Sequence, residues 1–286
     1  MKLAVLSDIH GNYIALQKCL EYAIGHGVDT FLFLGDYHGE LAYPQRTMDI
    51  LYALCEKYTC YFIRGNKEDY WKAYRKEGEK GWEYGNSTTG SLLYVYENLR
   101  ENDFSFLTTL PITRNLKFKN LPAITACHGS PRRTKEKMLP NNETTFSLME
   151  QNRNSLILCG HTHFQGIIEH SVKTVLNPGS VGVPLNSNGK TQFLILHGSN
   201  GTWHHEFLSL NYDVEQVISD LYKEELHIKA PSWCKITEHI LRTGEGSHGA
   251  VLMRAMALCR EACGVCNWPD IPETCWEQAL KELIGY

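Results

Sequence analysis

A short apolar run near the start of the chain ends in a carboxylate and an imidazole two residues apart. Residues 3–6 have the length and composition of a buried strand, and Asp8 and His10 follow them. Residues two apart in an extended chain project to the same side, so both side chains can converge at the carboxyl end of this strand. Open α/β sheets bind ligands at that end, and this pair suits a divalent metal ion. The alternative is that Asp8 caps the next helix and His10 is an ordinary loop residue.

The same pattern recurs along the first 163 residues. Four more predicted strands, at 30–34, 59–63, 122–127 and 155–159, each end in side chains that bind metals: Asp36, Asn66, His128, and His161 with His163. Singly, an aspartate or asparagine at such a position is a turn residue. Together with Asp8 and His10, these side chains are enough for two adjacent divalent ions that share a bridging carboxylate. Two-metal sites of this kind clamp phosphate and activate water.

The composition excludes several classes of protein. The 286 residues include 28 basic and 32 acidic side chains, a formal charge of −4 that gives no nucleic-acid footprint. No segment approaches the roughly 18 apolar residues of a membrane span, and Asp8 comes too early for a signal peptide. Ten cysteines without an export signal indicate free thiols in a reducing compartment. We therefore expect a cytoplasmic protein.

Alternation of apolar runs and helical periods predicts an α/β fold. Three strand–helix units up to residue 63 indicate a parallel sheet, and residues 68–110 predict one or two irregular helices. Short strands between 164 and 209 follow one another without helices, which favours antiparallel pairing, with a hairpin at Asn200-Gly201. The remainder predicts helices near 213–223, 232–243, 248–262 and 273–284.

Five motifs in this order resemble those of the calcineurin-like metallophosphoesterases. They are Ser-Asp-Ile-His-Gly-Asn at 7–12, Gly-Asp at 35–36, Gly-Asn at 65–66, His-Gly at 128–129 and Gly-His-Thr-His at 160–163. Asn-Pro-Gly-Ser-Val-Gly at 177–182 and Tyr-Asp at 212–213 resemble the small bacterial phosphodiesterase branch of that family. The resemblance covers residues 1–222 as one phosphoesterase domain. It leaves residues 223–286 as a helical carboxyl-terminal extension of unknown role.

The resemblance implies a four-layer αββα sandwich of two mixed sheets with loops meeting at one edge. It also implies two divalent metal ions. One would be held by Asp8, His10, Asp36 and His163, and the other by Asp36, Asn66, His128 and His161, with Asp36 bridging. The mixed oxygen and nitrogen ligands favour manganese or iron, and zinc, cobalt or nickel would also fit.

One residue departs from the family pattern. The family usually has a histidine after Gly-Asn, as acid or phosphate contact, whereas this chain has Lys67 followed by Glu68. A lysine with a pKa of about 10.4 is a poor proton donor at neutral pH, but its ammonium could stabilise charge on phosphate. The alternative is that Lys67 is a solvated surface residue. His38 could supply the missing acid or contact substrate, and Arg132 could grip a phosphate.

The expected function is hydrolysis of a small phosphodiester or phosphomonoester by in-line attack of a metal-bridging hydroxide. In this scheme Asp36, Lys67 and His128 are catalytic, and Asn66, Lys67, Arg132 and His38 contact substrate. The alternative is a non-catalytic metal-binding scaffold or regulatory protein on the same fold. The carboxyl-terminal helices could cap the site, act as a lid or form a homodimer. A cluster site at Cys259, Cys263, Cys266 and Cys275 is the weaker alternative to ordinary core cysteines.

Overall fold

A computed structural model describes residues 1–285 as an α/β protein. In chain order its strands are β1 (Lys2–Leu6), β2 (Thr30–Phe33), β3 (Thr59–Phe62), β4 (Thr113–Leu116), β5 (Ile124–Cys127), β6 (Leu156–Leu158), β7 (Gln165–His170), β8 (Lys173–Pro178), β9 (Thr191–Ser199) and β10 (Thr202–Leu210). Its helices are α1 (Tyr13–Gly25), α2 (Pro44–Cys55), α3 (Asn66–Lys76), α4 (Gly90–Asn98), α5 (Glu101–Thr109), α6 (Glu143–Gln151), α7 (Val214–Lys223), α8 (Leu226–Lys229), α9 (Pro231–Thr243), α10 (His248–Cys263) and α11 (Glu273–Ile284).

The first sheet has the strand order β10-β9-β1-β2-β3. Strands β1, β2 and β3 are parallel, as the strand–helix alternation predicts, because α1 and α2 make the crossovers between them. The hairpin of β9 and β10 adds to β1 in the antiparallel direction. The parallel strands therefore deliver their carboxyl ends, and the residues that follow, to one edge.

The second sheet has the order β4-β5-β6-β8-β7 and is also mixed. Strands β5, β6 and β8 are parallel, whereas β4 and β7 pair antiparallel at the two edges. The loops after β5 and β6 carry the predicted histidines. This sheet therefore delivers its ligand candidates in the same manner as the first.

Apolar side chains of both sheets form a shared core between them. Leu3, Val5 and Leu32 from the first sheet pack with Ala126 and Leu158 from the second. A separate cluster joins the other face of the first sheet to α1 and α2, and another joins the second sheet to α6. The predicted sandwich of two mixed sheets flanked by helices is confirmed.

The carboxyl-terminal helices share a hydrophobic cluster with the rest of the chain. Ile236, Ala255 and Trp276 from α9–α11 belong to the same cluster as Trp71 of α3 and Leu92 of α4. The predicted boundary at 222/223 falls inside α7. Residues on both sides of this boundary thus contribute to one core.

The structure also bears on two other predictions from the sequence, the helices of segment 68–110 and the cysteine site near the carboxyl terminus. The segment 68–110 holds three helices, counting α3, instead of one or two. Its glycines Gly78, Gly81 and Gly85 all have positive φ and lie in the connection between α3 and α4. Of the four carboxyl-terminal cysteines, Cys259 and Cys275 are buried and Cys263 is exposed, and none belongs to a close group of three ligands among residues 1–285. No helix in this described part of the chain is long and apolar enough to cross a membrane.

Candidate metal centre and adjoining cavity

The loops that follow the strands adopt an unusual backbone conformation at the predicted ligands. Asp8, His10 and Asp36 have φ values of 54°, 53° and 52°, and His161 and His163 have values of 65° and 62°. Non-glycine residues adopt this left-handed region rarely, and it turns the chain sharply where a strand ends. Hydrogen bonds between the loops hold the turns: the amide of Asp8 donates to the carbonyl of Gly35 at 3.1 Å, and that of His10 to the carbonyl of Asp36 at 2.9 Å.

Glycines of the motifs let these loops approach one another. A Cβ atom at Gly65 would collide with the carboxylate of Asp36, and one at Gly160 would collide with Ser7. The absence of a side chain at these two positions is therefore a packing requirement of the site. It explains the glycine in the Gly-Asn motif at 65–66 and in the Gly-His-Thr-His motif at 160–163.

The loop after β8 fixes the position of Asp8. The hydroxyl of Ser180 donates to the carbonyl oxygen of Asp8 at 2.7 Å, and the amide of Gly182 donates to the same carbonyl at 2.9 Å. The Asp8 Oδ2 atom accepts from the amide of His161 at 2.9 Å. The Oδ1 atom is buried and has no hydrogen-bond partner among the described residues. A buried carboxylate oxygen without a hydrogen bond is stabilised when a cation binds to it.

Three histidines aim the same ring nitrogen at the centre. The Nδ1 atom of His128 lies 2.8 Å from the carbonyl of Leu34, and that of His163 lies 2.9 Å from the carbonyl of Val183. The Nδ1 atom of His10 contacts the carboxylate of Glu40. An Nδ1–H group that donates to an acceptor leaves Nε2 free as a ligand, which is how metal-binding histidines are oriented.

These Nε2 atoms converge on the two aspartates. His163 Nε2 lies 3.2 Å from His10 Nε2 and 3.2 Å from Asp8 Oδ1. His128 Nε2 lies 3.4 Å from Asp36 Oδ1. Two groups of close ligand atoms result, one of Asp8, His10 and His163 and the other of Asp8, Asp36 and His128. Asp8 belongs to both groups, whereas Asp36, the bridging ligand that the motifs imply, belongs to the second group alone. The residues present fit a pair of divalent ions.

Charge coupling inside this buried cluster is strong. Burial opposes the charged form of His10, but the carboxylates of Glu40 and Asp8 outweigh it and raise the pKa of His10 to about 10. Burial likewise opposes protonation of His128, but Asp36 and Asp8 raise its pKa to about 9. Burial acts to raise the pKa of Asp8, and the neighbouring histidines hold that pKa well below its usual range. In the metal-free protein, imidazolium protons thus balance the carboxylates.

Two other predicted ligands, Asn66 and His161, are not members of the two close groups. Asn66 Oδ1 lies 3.0 Å from His128 Nε2, which puts its amide beside the second group. His161 packs near His128, with ring centroids 5.1 Å apart, but its Nε2 atom lies 3.2 Å from the carbonyl of Lys135. Burial and the charge of His128 lower the pKa of His161 to about 4, so its ring is neutral at pH 7. His161 lies outside both close groups.

A cavity of about 260 Å³ opens onto the centre and contains Lys67 in its wall. The Lys67 ammonium donates to the Glu40 carboxylate at 2.6 Å, and its backbone amide donates to Asp36 Oδ1 at 2.8 Å. Burial disfavours the ammonium, but Glu40 and Asp36 outweigh burial and raise the pKa of Lys67. Lys67 is thus a partly buried cation beside the centre, with a side chain 13% exposed, and is not a solvated surface residue.

His38 and Arg132 do not line this cavity. The His38 ring is fully buried, packs edge-on against Trp71 at 6.2 Å, and has no hydrogen bond at either nitrogen among the described residues. Arg132 is paired with Glu136 at 2.6 Å. Neither side chain belongs to the cavity wall, so their proposed contact with substrate has no support in this geometry.

Three groups at the site have weak or no sequence signals. Glu40 joins His10 to Lys67, and its only sequence cue is its closeness to Asp36. Glu68 accepts from the amides of Gly65 and Tyr37 at 2.7 and 3.0 Å, and its cue is its place in the first turn of α3. His248 lines the cavity from α10, and nothing in the sequence links it to residues so distant.

This chain is similar to several known proteins. The family model described as the calcineurin-like phosphoesterase superfamily domain matches residues 1–201. The uncharacterized protein MJ0912 of Methanocaldococcus jannaschii is 25% identical over 252 residues, which cover 81% of this chain and 94% of that protein.

Two crystal structures share the fold. The hypothetical protein PH1004 of Pyrococcus horikoshii has a TM-score of 0.71 at 21% identity and covers 86% of this chain and 99% of its own. A metallophosphoesterase of Sphaerobacter thermophilus has a TM-score of 0.66 at 18% identity and covers 86% of this chain and 100% of its own.

Proposed function

Since this chain belongs to the calcineurin-like phosphoesterase superfamily, we propose that it hydrolyses a small phosphomonoester or phosphodiester with two divalent metal ions. The convergence of three histidine Nε2 atoms on the buried Oδ1 of Asp8, which makes no hydrogen bond among the described residues, carries this proposal. Such a cluster of buried carboxylates and oriented imidazoles has little use without cations.

The ligand sets of the proposal follow the sequence motifs. Asp8, His10, Asp36 and His163 would hold one ion, and Asp36, Asn66, His128 and His161 the other. When bound, two such ions supply Lewis acidity to the phosphoryl oxygens and lower the pKa of water. Mixed oxygen and imidazole donors suit manganese or iron, and also zinc, cobalt or nickel.

Lys67 has the role of an electrostatic contact in this scheme. Its raised pKa keeps the ammonium charged at neutral pH, so it does not deliver a proton to the leaving group. A fixed cation in a buried wall stabilises the negative charge that develops on a phosphoryl group. Glu40 orients both this ammonium and the imidazole of His10. Lys67 thus takes over the phosphate contact that the family assigns to histidine.

The test of this function is turnover of activated aryl phosphate monoesters and diesters by metal-stripped protein as manganese is added back. Asp36→Asn is assayed in parallel, with Asp29→Asn as the matched control on the surface. Loss of a residue that only orients a ligand costs about 10–100-fold in metal affinity or activity. Loss of Asp36, which the motifs assign to both ions, should therefore cost at least about 100-fold. We expect metal-dependent turnover in the unmodified protein and in Asp29→Asn only.

The outcomes separate the two functional candidates. Metal content by mass spectrometry should fall from two ions per chain to one or fewer in Asp36→Asn. If the unmodified protein binds metal but turns over neither ester class with manganese, iron, zinc or cobalt, the enzymatic proposal fails. The metal-binding scaffold would then be the better description.

A further inference from the structure

The cavity beside the metal centre has a second wall of a different character. One part of the lining consists of Glu40, Lys67 and five of the proposed ligands, His10, Asp36, Asn66, His161 and His163. Another part includes Tyr70 of α3, Trp233 of α9 and Leu252 of α10. Two of these three residues belong to the carboxyl-terminal extension, which lies outside the residues matched by the family model. The extension therefore shapes the space that a substrate must enter.

The aromatic part of this wall is fixed in place. The ring of Trp233 stacks on His248 with centroids 4.6 Å apart, and meets the buried Trp276 edge-on at 5.5 Å. The Nε2 atom of His248 lies 2.8 Å from the hydroxyl of Thr237, one helical turn after Trp233. Trp276 in turn donates from Nε1 to Thr88 at 3.1 Å. Contacts on several sides hold Trp233, so little side-chain entropy remains to be lost on binding.

The same wall continues away from the metal centre. A smaller cavity of about 40 Å³ shares Lys67, Tyr70, Trp233 and Leu252 with the main one and adds Trp268. The rings of Tyr70 and Trp268 are 5.5 Å apart. The aromatic lining is thus continuous over both cavities.

Lys67 lies between the candidate metal ligands and the aromatic part of the lining. Its Nζ atom lies 2.6 Å from Glu40 on the metal side and 5.5 Å from the centroid of the Trp233 ring on the other side. An anionic group belongs beside this ammonium and the metal ligands. An apolar group gains free energy against the ring of Trp233 and the side chain of Leu252, and the indole Nε1 of Trp233, which has no hydrogen-bond partner among the described residues, can donate to an acceptor on the same group.

We propose that the carboxyl-terminal helices form a recognition subsite for the alcohol part of the substrate, selecting phosphoesters whose alcohol carries a planar apolar ring. This inference rests on the proposed phosphoesterase function. A cavity of about 150 Å³ suffices to bind benzene, so the 260 Å³ space holds a phosphoryl group and a single ring. Trp233, Tyr70 and Leu252 are the specificity-determining residues.

The decisive comparison uses benzyl phosphate and cyclohexylmethyl phosphate. Both are esters of primary alcohols, and they differ in whether the six-membered ring is planar. We expect the manganese-loaded protein to prefer the benzyl ester by about 10-fold in kcat/KM, the value of a good aromatic contact. Trp233→Leu should raise KM for the benzyl ester by about 5- to 10-fold and change that of the cyclohexylmethyl ester less than twofold.

Trp203→Leu is the matched control, because Trp203 lies on β10 and packs against Phe118 at 5.3 Å, away from this cavity. It should leave both esters unaffected. If Trp233→Leu does not fold, Leu252→Ala and Tyr70→Leu replace it as test variants. Each of them should reduce the ratio of kcat/KM for the benzyl ester to kcat/KM for the cyclohexylmethyl ester. Equal kcat/KM for the two esters in the unmodified protein would overturn the subsite.

A binding measurement separates this proposal from the hydrolytic one. Benzylphosphonate cannot be hydrolysed, so its affinity for the metal-loaded protein, measured by calorimetry against cyclohexylmethylphosphonate, is independent of turnover. Tighter binding of the benzyl compound, lost in Trp233→Leu, supports the subsite even if no ester is hydrolysed. Hydrolysis of both esters with equal phosphonate affinities would retain the phosphoesterase and reject the subsite.

Discussion

The imidazoles of His10 and His128 carry protons that a metal ion must displace. Their pKa values are raised to about 10 and about 9, because nearby carboxylates outweigh the burial that opposes protonation. Below these values both rings are protonated, whereas a metal ligand must be neutral. The apparent affinity for manganese should therefore rise as the pH increases from 6 to 8, and binding should release protons.

Calorimetric titration of the stripped protein with manganese in two buffers of different ionisation enthalpy measures this release. We expect more than one proton per chain at pH 7. Replacing the exposed His204 with glutamine should leave the number unchanged. A dissociation constant that does not vary between pH 6 and 8 would show that the two rings are already neutral.

At the level of residues, the sequence draws attention to the candidate ligands but not to the residues that support them. Asp8 and His10 are recognisable because a strand end and a spacing of two place them together. Glu40 is not, since its role depends on a contact with Lys67, 27 residues away. His38 shows the opposite failure, because a histidine near a ligand is in fact buried against Trp71 without reaching the cavity.

At the level of elements, the loop after β8 acts as a clasp on the loop after β1. Val181 and Gly182 donate their amides to the carbonyls of Ser7 and Asp8, both at 2.9 Å. A Cβ atom at Gly182 would collide with the carbonyl of Ile9. The motif at 177–182 therefore positions the loop that carries the candidate ligands Asp8 and His10.

Gly182→Ala should force these loops apart. We expect a loss of stability of about 1–3 kcal/mol, typical of overpacking, and a manganese affinity reduced by about 10-fold or more, as for other changes that misplace a ligand. Gly166→Ala is the matched control, because a Cβ there meets nothing within 4 Å. Urea unfolding and metal titration measure both effects. If the two variants have the same stability and the same manganese affinity, the loop after β8 does not position the loop after β1.

Element boundaries follow closely from the sequence where the hydrophobic period is strong. Helix α11 spans the predicted residues 273–284, and α7 begins one residue after the start of the predicted helix at 213–223. The segment 68–110 is harder, since aromatic side chains there pack in several directions. Tyr74 stacks on Trp82 at 3.9 Å and meets Tyr96 edge-on at 5.0 Å. Such contacts override a simple helical period.

At the level of the whole molecule, one hydrophobic cluster joins the extension to the phosphoesterase part. Trp276 and Ile240 are buried with Trp71 and Leu92 in it. We therefore expect calorimetry of the full chain to show a single unfolding transition, with equal calorimetric and van't Hoff enthalpies. Deletion of 224–286 should expose the facing apolar surface and give aggregated protein.

Size-exclusion chromatography of the truncated chain, beside the full chain at equal concentration, checks the second expectation. A truncated chain that stays monomeric and keeps its melting temperature would show that the extension is an independent unit. The docking itself could not be predicted from the sequence. The apolar periods of α9–α11 predict buried faces, but nothing in them specifies which surface these faces cover.

The left-handed backbone at five proposed ligands lowers the stability of the folded chain at the positions whose side chains the proposed chemistry needs. Each of these positions, 8, 10, 36, 161 and 163, has φ between 52° and 65°. The conformation costs about 1–2 kcal/mol for a residue with a Cβ, against an entropy penalty of about 0.5–1 kcal/mol for glycine. Glycine at these positions would relieve the backbone but would remove the side chains that the proposed metal centre needs. The strained conformation is therefore what it costs this fold to bring five polar side chains together at one edge of its two sheets.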